Sequence, residues 1–189
     1  MGGLNESAQR STRHLVRRLT ARGVHSSFLE KRGWSTRRLR VRKAPSGRGS
    51  AEQSVREQYP TELAAYRQRT GHVEQAVVVM QDGDQSGVQQ RLQALDGACV
   101  SQGVESRRAT ERVAVFVPTW RIETWFAYLE GQTVDEANEA YPRLDRERDC
   151  QRHVNALDEM CRLQDLRQPA PASLQAACDE YRARLTTTG

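Results

Sequence analysis

Residues 76–87, AVVVMQDGDQSG, run apolar and then stop on two carboxylates, Asp82 and Asp84, separated by one glycine. Like charges at the end of a buried strand repel each other, and either a proton or a cation between them relieves the repulsion. Uncompensated burial of a carboxylate costs on the order of several kcal/mol, so a hard cation such as Mg²⁺, or Mn²⁺ in its place, is the economical partner.

Positioning such a pair requires strands whose ends meet. The run EQAVVVMQD has the continuous apolar character of a strand covered on both faces, and ERVAVFVPT, residues 111–119, is a second one. RRLRVRKA, residues 37–44, alternates Leu39 and Val41 with arginines, as a half-buried strand does. Helical stripes are read at residues 7–22 (Ala8, Thr12, Leu15, Val16, Leu19), through Val55, Tyr59, Leu63 and Tyr66 around Pro60, and at residues 86–95 (Val88, Leu92, Leu95). Another, RIETWFAYLE, stands directly behind the second buried strand. Helices alternating with strands predict an α/β fold with a mostly parallel sheet wrapped by helices over residues 1–130. Residues 131–189 read as a charged helical extension, interrupted by the linker RQPAPAS and closed by the helix SLQAACDEYRARL.

Ligands of open parallel sheets sit at the carboxyl ends of the strands. Asp82 and Asp84 are expected at that edge, with Glu123 in the first turn after the strand that ends at Thr119. Glu6 joins them if a strand precedes the helix expected at residues 7–22. Other readings of DGDQSG remain open. An EF-hand loop would need Glu where Gln93 stands, a strand-D-x-D phosphatase of the haloacid dehalogenase type would use one aspartate as nucleophile, and a plain Asp-Gly turn needs no ligand. Glu123 has its own alternative, since an acid in a first helical turn complements the helix dipole.

An early Glu, then strand-DGD-helix, then a strand and IETWFAYL about 40 residues beyond Asp82 resembles the TOPRIM domain. The closest resemblance is to small TOPRIM-like proteins related to the overcoming-lysogenisation-defect nucleases, over roughly residues 4–130. The resemblance implies a TOPRIM/Rossmann-like fold and Mg²⁺-dependent phosphodiester hydrolysis, with Glu6, Asp82 and Asp84 as metal ligands and Glu123 as a further acid. It also implies work beside an ABC/AAA-type ATPase in antiviral defence. A catalytically inert subunit that binds nucleic acid or a partner protein is the alternative. In the family, the glutamate ends an apolar first strand and precedes glycine, whereas here MGGLN precedes Glu6 and Ser7 follows it. Lys43 and Arg48, after the second expected strand, are candidate phosphate or transition-state contacts, and otherwise solvated loop cations.

Charge is uneven along the chain. Residues 1–60 carry 14 Lys+Arg against 4 Asp+Glu, while the remainder is net acidic. Arg37, Arg38, Arg40, Arg42 and Arg48 are therefore a candidate nucleic-acid surface, although without the aromatic ladder of a single-strand platform. No apolar run approaches a membrane span, and no secretory signal or zinc spacing is present, so a cytoplasmic protein is expected. Homo-oligomerisation is compatible with the amphipathic C-terminal stretches. Cys99, Cys150, Cys161 and Cys178 are expected as reduced, buried thiols.

Overall fold

The computed structural model describes residues 11–16, 27–34, 40–43, 50–68, 75–137, 141, 150–163 and 165–186; strands 11–16 and 40–43 and Ser50 are described by their backbone. Four strands, β1 (Ser11–Val16), β2 (Arg40–Lys43), β3 (Gln75–Met80) and β4 (Val113–Phe116), form one sheet in the order β2-β1-β3-β4. Every pairing is parallel, so the fold is α/β. Residues 27–31 are helical (α1), followed by α2 (Ser50–Arg67), α3 (Gly87–Ser101), α4 (Ile122–Leu129), α5 (Gln151–Leu163) and α6 (Ala172–Leu185).

The period of two along β3 and β4 assigns each helix to a face. Val77 and Val79, beside Val113 and Val115, pack against Val55, Tyr59 and Leu63 of α2 and Leu95 and Cys99 of α3. Ala76, Val78 and Met80, beside Ala114 and Phe116, pack against α1, α4, α5 and α6 through Phe28, Trp125, Val154 and Tyr181, among others. Both faces of β3 are covered, as its unbroken apolar run predicts. Helices α5 and α6 therefore belong to the same core as the sheet.

Three expectations change. Residues 11–16 are not helical: they form an interior strand paired with β2 on one side and with all six residues of β3 on the other. The apolar spacing of three and four in this segment also accommodates a β-branched strand, and two parallel ladders outweigh local helix propensity. The rest of the helix expected at 7–22 lies outside the described residues. Residues 132–137 are also non-helical, and the rest of the helical stretch expected before α5 lies largely outside the described residues. Finally, Cys161 and Cys178 are paired as a disulfide between α5 and α6, their Cα atoms 5.9 Å apart. Each falls on the inward face of its helix, and only the return of the chain brings the two together.

Helix α2 runs unbroken through Pro60. Its last turn is strapped to the segment before β4, where Arg67 Nε and Nη2 donate to Glu111 at 2.7 and 3.0 Å and Nη1 and Nη2 reach the carbonyls of Glu105 and Ser106. Burial pushes the Glu111 carboxyl up, but hydrogen bonds from the Arg67 side chain and the Arg108 backbone N–H outweigh it and hold the group below its ordinary 4.5. A lowered folded-state value contributes stability that is full above the unfolded value and fades as pH falls through the folded one. Glu111→Gln is thus expected to lower the urea midpoint at neutral pH and to flatten its decline as the pH is taken down past 4.5. An unaltered acid limb would remove this strap from the account.

Alkylation under denaturing, non-reducing conditions checks the disulfide. Two of the four cysteines, Cys99 and Cys150, are expected to react. In the native state Cys99 should be slow, because burial pushes its thiol up to about 11. Four modified cysteines would contradict the pairing.

Candidate functional site

The strand order reverses between β1 and β3, since β2 lies beyond β1 and β4 beyond β3. In parallel sheets the crevice outside the carboxyl ends at such a reversal is where ligands bind. The segment leaving β3 at this point is Gln81-Asp82-Gly83-Asp84.

Hydrogen bonds fix this segment to the continuation of β4. Gln81 N–H donates to Phe116 O at 3.2 Å, Gly83 N–H to Pro118 O at 2.8 Å and Trp120 N–H to Asp84 O at 3.4 Å. A Cβ on Gly83 would stand 3.1 Å from Pro118 O and 3.3 Å from a Val117 methyl, so the glycine between the aspartates is set by the close approach of two backbones. Asp84 and Trp120 face each other across an isolated antiparallel bridge, and both hold positive φ, 47° and 58°. Aspartate tolerates this conformation; for tryptophan it is strained and must be held by its surroundings.

Asp82 is buried at 3% exposure and Glu123 at 4%. Glu123 sits in the first turn of α4, directly after the β4 continuation. Its Oε2, together with Gln81 Nε2 and Trp120 Nε1, is buried with no hydrogen-bond partner among the described residues. Buried polar atoms are normally satisfied, so three orphans on two adjoining strand ends call for a ligand or solvent there.

Asp84 is placed differently. Its Oδ2 receives Arg91 Nη2 at 3.0 Å, while Arg91 Nη1 lies 2.7 Å from Glu52 Oε1 of α2 and Arg91 Nε donates to Gly83 O at 3.3 Å. Arg91 is buried. Among the described residues, a guanidinium thus supplies positive charge beside Asp84. Sequence reasoning missed both Arg91 and Glu52. A signal for Arg91 was present, because it occupies the inward stripe of α3 with Leu95 and Cys99, seven residues after Asp84. For Glu52, only the packing of α2 against α3 brings it near.

The remaining predicted residues divide by position. Lys43 ends β2 in register with Val16 and Met80, at the same carboxyl edge but two strands from β3, roughly 10 Å of backbone away. Arg40 and Arg42 lie two apart along β2, an edge strand. Glu6, Arg37, Arg38 and Arg48 lie outside the described residues. The reason for placing Glu6 at the carboxyl edge falls with the helix at 7–22, because β1 runs from Ser11 and its carboxyl end is Val16; in sequence, Arg17 and Arg18 follow, and the next acid is Glu30. Among the described residues, no three of His, Cys, Asp or Glu come together as a ligand set, so Asp82, Asp84 and Glu123 do not form a carboxylate triad.

The tryptophan of IETW anchors the site. Trp125 Nε1 donates to Ser173 Oγ at 2.7 Å, Ser173 Oγ also accepts from Thr119 N–H at 3.3 Å, and Ser173 N–H donates to Glu136. The first turn of α4 is thereby tied to the start of α6. Ser173→Ala keeps the Trp125 ring and removes the acceptor of its N–H; a loss of about 1–2 kcal/mol in urea unfolding is expected. No loss would mean that packing alone sets the position of α4.

Compared with protein families, curated proteins and solved structures, the chain matches none.

Proposed function

We propose that this chain is a divalent-cation-dependent phosphodiesterase acting on nucleic acid, with a TOPRIM-like, Rossmann-like site at the carboxyl ends of β3 and β4, beside the reversal between β1 and β3. One observation carries the reading: buried Asp82 follows β3 at the strand-order reversal and buried Glu123 follows the neighbouring β4, with buried polar atoms of Gln81, Trp120 and Glu123 itself left without a hydrogen-bond partner among the described residues. Mg²⁺ is commonly held by one or two carboxylates together with waters and substrate phosphate, so the absence of a triad still leaves a fitting donor set in Asp82 and Glu123. When bound, such an ion supplies Lewis-acid polarisation of the phosphoryl group and lowers the pKa of a bound water.

The chain's own groups have separate tasks. Asp82 and Glu123 hold charge at fixed positions, one on the β3–β4 ladder and the other on a helix start anchored through Trp125 and Ser173. Gln81 Nε2 and Trp120 Nε1 are donors suited to phosphoryl oxygens. Lys43 is a cation at the same edge for a more distant phosphate, while Arg40 and Arg42 on the edge strand suit the nucleic-acid backbone, with Arg37, Arg38 and Arg48 adding to that surface. Glu6 takes no assigned part. The resemblance alone supports a cytoplasmic defence role beside an ATPase subunit; among the described residues, no helix is long and apolar enough to cross a membrane.

A specific observation favours a second reading. Arg91 is already paired with Asp84 as well as with Glu52, which suits an inert subunit that binds nucleic acid or a partner without cleaving. Metal dependence separates the two. Under the first reading Mg²⁺ or Mn²⁺ raises the melting temperature, by about 2.7 kcal/mol of stability at a hundredfold excess over Kd. Asp82→Asn and Glu123→Gln should abolish that gain and reduce cleavage of plasmid or single-stranded substrate by more than the roughly 10–100-fold expected from losing a merely orienting group. A wild type that neither binds the ion nor cleaves leaves the inert reading.

Binding itself should weaken steeply with salt, because neutralised phosphates release counterions. Arg40→Glu with Arg42→Glu is expected to lower affinity across unrelated sequences and to shallow the salt slope. Equal affinity at low salt would exclude the β2 edge.

A further inference from the structure

We infer that Arg91 is the site's built-in counter-cation, withdrawing Asp84 from metal binding, so that the DGD segment supports one divalent ion rather than two. The geometry of the guanidinium carries this inference; the metal stoichiometry rests on the phosphodiesterase reading above.

Arg91 is buried and has contacts on two sides of the site: Glu52 Oε1 at 2.7 Å, Asp84 Oδ2 at 3.0 Å and the Gly83 carbonyl at 3.3 Å. Glu52 belongs to the first turn of α2, the other two to the loop after β3, and Arg91 itself to α3. One planar fork therefore joins α2, α3 and the DGD loop. An ammonium, as a point charge, cannot span three acceptors with this fixed geometry.

The loop needs such a clamp. Asp84 is held at φ 47° opposite Trp120 at φ 58°, conformations that persist only where the surroundings over-determine them. Asp84 is thus a positioning residue: its carboxylate binds the guanidinium that also grips the preceding carbonyl. A divalent ion drawing on Asp84 would lie beside this buried positive charge, and the like-charge contact opposes it. The repulsion between Asp82 and Asp84 is accordingly relieved within the protein, on the Asp84 side, by Arg91.

Isothermal titration of Mn²⁺ into full-length wild type, Asp84→Asn, Arg91→Gln and the double variant, with urea unfolding of each, tests this. Wild type should bind one ion. Asp84→Asn should keep that stoichiometry with Kd changed less than about threefold, and Arg91→Gln, by removing this cation from beside Asp84, should add a second ion or tighten binding by about tenfold or more. The double variant should return to one ion. In urea, the single variants should each be destabilised, with their effects non-additive. Loss of binding in Asp84→Asn, or weakened binding in Arg91→Gln, would overturn the inference while leaving the phosphodiesterase reading intact. If no variant binds Mn²⁺, the phosphodiesterase reading fails instead, and the unfolding cycle alone decides on the clamp: additive effects reject it and coupled effects retain it. Should Arg91→Gln not fold, Arg91→Lys replaces it, with reduced stability expected at unchanged stoichiometry; stability equal to wild type would reject the clamp.

Discussion

The backbone pairing of β3 with β4 does not stop where the strands formally end, and the site depends on this continuation. Hydrogen bonds at Gln81, Gly83 and Trp120 carry the two segments onward side by side, past the last residues of the ladder. The pairing fixes the spacing of Asp82 and Asp84, requires glycine between them, and delivers the chain into α4 with Glu123 in its first turn. Burial of β3 on both faces keeps it in place: α2 and α3 cover one side, and the remaining helices the other. A shift in register by one residue would exchange the two apolar sets and break both clusters together.

Arginine does much of the fastening. In a chain with only two lysines, Lys31 and Lys43, the described arginines repeatedly span elements. Arg32 joins α1 to α5 through Asp158, with its guanidinium over the Phe28 and Tyr181 rings. Arg67 clamps the end of α2 to the approach to β4. Arg167 grips the carbonyls of Tyr128 and Gln132 after α4, Arg107 pairs with Glu180 of α6, and Arg91 clamps the candidate site. A forked, always-charged donor can satisfy several carbonyls and a carboxylate at once, which suits loop ends that would otherwise bury unpaired acceptors. Several of the described arginines thus make contacts between elements of the chain, while Arg40 and Arg42 of β2 remain the proposed contacts to nucleic acid.

The C-terminal helices are part of this arrangement. Helix α6 packs against β4 and supplies Ser173 to hold Trp125, and α5 is linked to α6 through Cys161 and Cys178. An apolar pocket lined by Phe28, Met80, Phe116, Trp125, Leu157 and Tyr181 lies where these helices meet the sheet. Residues chosen for packing thus position Glu123 from behind.

By itself, the sequence determined the elements whose signals are local. The β-branched runs of β3 and β4 and the apolar stripe of α4 could be read directly, because an element buried on both faces, or along one stripe, must be apolar at those positions whatever its neighbours are. It also marked Asp82, Asp84 and Glu123 as acids that follow buried strands. Tertiary structure decided what no local pattern encodes. Residues 11–16 carry spacing compatible with helix or strand, and pairing with β2 and β3 selected the strand. Asp84 meets Arg91 of α3, which in turn meets Glu52 of α2, and Cys161 meets Cys178 through the return of the chain. Side-chain charge is visible in sequence, but what neutralises it depends on distance in space, and that distance is set only when the helices pack on the sheet.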